Sequence, residues 1–66
     1  MKKISVLIAG RHETSISLEE EFYEALIEIA KAQHLSLNDL ITKIDSERQI
    51  ENLSAAVRVY ILQYYR

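Results

Sequence analysis

The segment from Glu13 to Leu18 alternates, with Ile16 and Leu18 on one side and Ser15 and Ser17 on the other, and directly after it the apolar period changes to that of a helix. A half-buried strand joined without a spacer to an amphipathic helix is a narrow constraint, because a strand needs a hydrogen-bonding mate that helices cannot supply. From Glu19 onward, Phe22, Ala25, Leu26, Ile29, Ala30 and Gln33 keep the three-and-four spacing of one helical stripe, and Gln33 is its only polar member. Glu19, Glu20 and Glu21 stand where the partial positive charge of a helix N-terminus favours carboxylates, and Ser17 with Glu20 has capping-box spacing. The first helix is expected over about 19–33. It stops near His34, which is expected in a left-handed conformation because no glycine is present there.

Ser36 has the residue type and position of an N-cap, with Asp39 three residues on, and Leu37, Leu40, Ile41 and Ile44 give a second helix over about 36–46 its stripe. Ser46 to Glu51 is polar and reads as a loop. Asn52 can cap a third helix, about 53–64, whose stripe is Leu53, Ala56, Val57, Tyr60, Ile61 and Tyr64. That spacing assigns Tyr60 and Tyr64 to the core. With no proline, one glycine and no low-complexity tract, residues 1–66 read as a single, mostly α domain.

Two topologies can give the strand at about 13–18 its mate. Ile4 to Ala9 is rich in β-branched residues and reads as a further strand, which could fold back through Gly10 to Glu13 as a hairpin. That connection lacks an Asn-Gly or Asp-Gly signal. The expected arrangement is instead an antiparallel ribbon between the same strands of two copies about a two-fold axis. Size argues the same way: a chain this short buries only about 60% of its unfolded surface, yet 48% of the residues are apolar and no cysteine is present to staple the fold. Ile16, Leu18, Phe22, Leu26, Ile29, Leu40, Ile41 and Ile44 are therefore expected to form a core shared across an obligate, intertwined homodimer.

The formal net charge is -2, but it is unevenly spread: Lys2, Lys3 and Arg11 precede any carboxylate, whereas Glu19, Glu20, Glu21, Glu24 and Glu28 crowd the first helix. No Ser/His/Asp, Cys/His or phosphate-loop pattern occurs, and so small a domain has no room for a deep pocket, which argues against an enzyme. His12 and His34 are the only histidines and lack metal-site spacing, so neither a metal nor another cofactor is expected. The apolar run after Lys2 and Lys3 is too short for a signal peptide, and no segment approaches the roughly 20 apolar residues of a membrane span. A cytoplasmic protein with no membrane partner is expected.

The stretches T-S-I-S-L-E-E-E-F, Thr14 to Phe22, and L-S-L-N-D-L-I, Leu35 to Ile41, resemble the ribbon-helix-helix family of Arc/MetJ-type and CopG-type repressors. With A-A-V-R-V-Y-I-L, Ala55 to Leu62, the chain resembles the subgroup described simply as ribbon-helix-helix domain proteins in alphaproteobacteria. The resemblance implies a homodimer, pairing further into tetramers on DNA, that inserts a β-ribbon in the major groove and regulates transcription. It assigns base contacts to Glu13, Ser15 and Ser17, and phosphate contacts to Ser36, Leu37 and Asn38 at the start of the second helix; Arg11, just before the ribbon, could add another. Glu13 departs from the basic or amide residue frequent at that position. A carboxylate there accepts from a cytosine amino group but is repelled by phosphate. The alternative is a dimeric protein-interaction adaptor on the same scaffold, with DNA binding lost.

Overall fold

The computed structural model describes residues 1–66 in the order β1 (Lys2–Ile8), β2 (His12–Leu18), α1 (Glu20–Ala32), α2 (Leu37–Glu47) and α3 (Leu53–Tyr64). The two strands form an antiparallel hairpin in which Lys3 faces Ser17, Ile4 faces Ile16, Ser5 faces Ser15 and Leu7 faces Glu13. At its tip the Arg11 N–H donates to the Ile8 carbonyl at 3.0 Å, and Ala9 and Gly10 between them have φ of 55° and 69°. Positive φ at both central residues is what a type I′ turn requires, and glycine meets it without strain. Ala9 meets it at a cost of about 1–2 kcal/mol.

This hairpin corrects the expectation that β2 lacks a mate within its own chain. The mate is β1, whose Ile4, Val6 and Ile8 alternate with Lys3, Ser5 and Leu7 as a half-buried strand should. The residues expected in a shared core pack on one another within the single chain. Leu18, Leu26, Ile29, Leu40 and Ile41 are fully buried within one chain, Ile16 and Ile44 are buried, and Phe22 packs half-buried against them. Ile4, Val6 and Ile8 of β1 and Ala56, Val57 and Ile61 of α3 complete that cluster. Neither Ile16 nor Leu18 depends on another molecule for burial.

The helix ends follow local chemistry. Ser36 Oγ accepts from the Asp39 N–H and Asn52 Oδ1 from the Ala55 N–H, each at 3.0 Å, so both expected caps are in place. His34 has φ of 58°; its N–H donates to the Lys31 carbonyl and the Leu35 N–H to the Ala30 carbonyl, the paired bonds of a Schellman ending. The Ser17–Glu20 capping box does not form. β2 continues to Leu18, Glu19 becomes the N-cap of α1, and no side chain caps that end. The loop after α2 begins at Arg48 rather than Ser46, because Ser46 stays helical and donates its hydroxyl to the Lys43 carbonyl. Arg48 then orders the connection by donating to Asp45 Oδ1 at 2.8 Å and to the carbonyls of Ile50 and Glu51.

Tyr60 packs against the core as its spacing predicts, but Tyr64 does not. It is 44% exposed, stacked on Tyr60 with ring centroids 6.4 Å apart and edge-on to Tyr65 at 5.3 Å. The last turn of α3 runs past the end of the core, where only neighbouring rings remain to cover it. No helix is long and apolar enough to cross a membrane.

Candidate nucleic-acid interface

In an antiparallel ladder the N–H and C=O groups of alternate residues point away from the paired strand. The outer edge of β1 meets α2: the Leu7 N–H donates to Asn38 Oδ1 at 3.3 Å and the Ala9 N–H to Thr42 Oγ1 at 3.2 Å. The outer edge of β2 meets α3: the Ser17 N–H donates to Ser54 Oγ at 3.3 Å, and Arg58 Nη2 donates to the Ser17 carbonyl at 3.1 Å. Leu7 and Ser17 thereby identify the odd-numbered residues as the set with outward backbone groups. On β1 the remaining members are Lys3 and Ser5, and on β2 they are Glu13 and Ser15.

The same odd-numbered residues carry their side chains on the face opposite the core, since successive side chains alternate. That face therefore presents three cross-strand pairs, Lys3 with Ser17, Ser5 with Ser15, and Leu7 with Glu13. All six are exposed except Ser17, which is half-buried beside α3. The centre is low and polar, with two hydroxyls that donate or accept. Sequence reasoning found only the β2 half. Lys3, Ser5 and Leu7 were missed, although their alternation with Ile4, Val6 and Ile8 carried the signal.

Arg11 is exposed in the turn, at the same end of the hairpin as Glu13. Ser36 is exposed and Leu37 half-buried at the start of α2. Asn38, exposed, spends its carbonyl oxygen on Leu7, which fixes that helix start beside the turn-proximal half of β1. Ser36 likewise spends its hydroxyl on Asp39, so an anion at this helix end would meet the amide hydrogens of Leu37 and Asn38. The ribbon and the α2 start are thus brought together, and Arg11 lies at the ribbon's tip.

Both ends of the hairpin carry charge of both signs. At the turn end stand Arg11 and Glu13. At the other end Glu19, Glu20, Glu21 and Glu24 line a shallow depression with Met1. Lys2 is on the core side of β1, its ammonium 5.2 Å from the centroid of the Tyr23 ring, and Lys3 alone carries positive charge on the outward face. Glu19 is tied down: its carboxyl is held below the usual carboxylate range, chiefly by the hydrogen bond from Arg58 and then by a backbone hydrogen bond.

A two-stranded antiparallel sheet followed by helices, the second of them starting beside the sheet, is consistent with the ribbon-helix-helix fold. The model of the ribbon-helix-helix domain family matches residues 1–65, and the chain belongs to that family. Members are generally DNA-binding regulators of transcription rather than enzymes. We find no match to the chain among curated proteins or among solved structures.

Proposed function

We propose that the chain is a homodimeric, sequence-specific DNA-binding regulator of transcription that works in the cytoplasm and lays its β1–β2 ribbon in the major groove. The observation that carries this is the outward face of the hairpin, where the Ser5–Ser15 pair lies between the Lys3–Ser17 and Leu7–Glu13 pairs. The major groove admits a two-stranded ribbon, and short hydroxyl side chains let its backbone approach the base edges while contacting any base. Glu13 accepts from a cytosine amino group at the turn end. Phosphates fall to Arg11 and to the amides at the α2 start, Ser36, Leu37 and Asn38. The outward backbone of Glu13 and Ser15 is open to the same strand of a second copy, which would double the contacts over a palindromic site; stacked dimers would span a longer one.

The test is binding to genomic fragments, followed by measurement on a selected duplex over a range of salt. Affinity falls with rising salt, and Ser5→Glu or Ser15→Glu each weakens binding by about tenfold or more while melting is unchanged. Undiminished binding by both variants would remove the ribbon from the interface.

A second reading, a dimeric adaptor for other proteins, is favoured by the carboxylates gathered beside Met1 and by Glu13 on the ribbon. It requires that random duplex at low salt does not bind, since a basic surface is what non-specific DNA affinity rests on.

A further inference from the structure

Leu7 is the one apolar side chain on the outward face of the hairpin, 41% exposed among Lys3, Ser5, Glu13, Ser15 and Ser17. An exposed leucine is ordinary by itself. This one stands on a fastened backbone. Its N–H donates to Asn38 Oδ1 at 3.3 Å, and two residues on the Ala9 N–H donates to Thr42 Oγ1 at 3.2 Å. Asn38 and Thr42 are one turn apart on α2, so the helix holds the turn-proximal end of β1 at two points.

The same hydrogen bond settles how Leu7 meets the residue opposite. Because its N–H points outward, Leu7 and Glu13 form a non-hydrogen-bonded pair of the antiparallel ladder, the kind whose Cα atoms lie closest, about 4.5 Å apart. Base pairs in a duplex are stacked about 3.4 Å apart. Leu7 and Glu13 together therefore reach no further than neighbouring base pairs, one with a side chain that neither donates nor accepts, the other with a carboxylate that only accepts.

The major groove offers a leucine one matching group. The thymine methyl is apolar, while the other features of the base edges are donors and acceptors. Leucine set over a donor or acceptor strips it of water and returns nothing, whereas over the methyl it buries apolar area on both sides. Glu13 is equally selective: the cytosine amino group stands without a neighbouring acceptor, but the adenine amino group is flanked by N7, which repels a carboxylate. Thymine and cytosine cannot share a base pair, so the two must lie on adjacent ones.

We infer that Leu7 is a specificity-determining residue that reads a thymine methyl on the base pair next to the cytosine whose amino group donates to Glu13. The inference rests on the ribbon reading proposed above and names the base step met by its turn end.

The probe is a duplex selected from a random library by the wild-type chain, with each thymine in turn replaced by deoxyuridine, which removes only the methyl. Wild type loses about fourfold in affinity at one thymine, the worth of one buried methyl. Leu7→Ala binds the parent duplex about fourfold more weakly and is indifferent to that replacement. Each uracil penalty compares two duplexes on the same protein, so any loss of folding cancels. Glu13→Gln moves the preference at the adjacent base pair from cytosine to adenine, whose N6 and N7 suit an amide. Equal uracil penalties for wild type and Leu7→Ala at every position overturn the role of Leu7, and a methyl-dependent thymine remote from the pair shifted by Glu13→Gln overturns the base step. If Ser5→Glu and Ser15→Glu still weaken binding in either case, the ribbon keeps its place in the groove and only this inference is lost. A wild type that selects no duplex overturns both.

Discussion

Arg58 on α3 and Glu19 at the head of α1 meet in an ion pair, Nε to Oε1 at 2.9 Å, across the junction where β2 becomes helix. The same guanidinium reaches the Ser17 carbonyl, so one side chain holds the strand end and the helix start together. The Glu19 carboxyl titrates lower folded than unfolded. The bond's contribution is therefore complete above the ordinary carboxylate pKa and is lost as pH falls through the depressed value. Arg58→Met should return the Glu19 midpoint, followed by carbon NMR, upward to the ordinary range and flatten the acid limb of the stability profile. A midpoint that does not move would show that another group depresses it.

Ala9 and His34 are the two non-glycine residues with positive φ, one in the hairpin turn and one ending α1. Ala9→Gly and His34→Gly should each stabilise by about 0.5–1 kcal/mol, the relief of left-handed strain being partly offset by the entropy of the unfolded glycine. Urea unfolding measures both. Destabilisation by Ala9→Gly would mean that the turn carries no such strain.

Gln33, the polar member of the α1 stripe, donates from Nε2 to the Tyr60 hydroxyl at 2.9 Å, and Lys43 Nζ donates to its Oε1 at 3.2 Å. One amide thus links all three helices. Tyr60→Phe removes the acceptor and should cost about 0.5–1.5 kcal/mol, read from the shift in the urea midpoint at constant slope. A neutral result would mean that water replaces the phenol at no cost.

Val6, 2% exposed on β1, separates the hairpin from a ribbon made only between copies. Val6→Asp places an unpaired carboxylate in the core and should unfold the chain, because the penalty is of the order of the roughly 5 kcal/mol a domain this small has available. Circular dichroism is sufficient to see it. A folded variant would show that β1 is dispensable.

What the sequence disclosed was decided by chemistry local to each element. Ser36 and Asn52 announce their helices because a cap needs only its own side chain and an amide three residues on. His34 could be placed because a helix must end somewhere and nothing else there tolerates the geometry better. The hairpin is faint in the sequence because its turn uses Ala9 where asparagine or aspartate would signal it, and the strain is met by packing of Ile4, Val6 and Ile8 that no short window reveals. Ser17 misled for a related reason: whether it caps a helix or ends a strand depends on Ser54 and Arg58, nearly forty residues away. At the candidate site, the β2 face was legible from alternation alone. Its partners Lys3, Ser5 and Leu7 became visible only once the register was known.

Since β2 finds its mate at once in the preceding strand, the sheet of this molecule closes without waiting for an encounter with another. Each newly made copy can mature in isolation, by a short-range closure of the kind that folds quickly. In the dimer proposed above, subunits would then exchange between pairs without either one having to unravel.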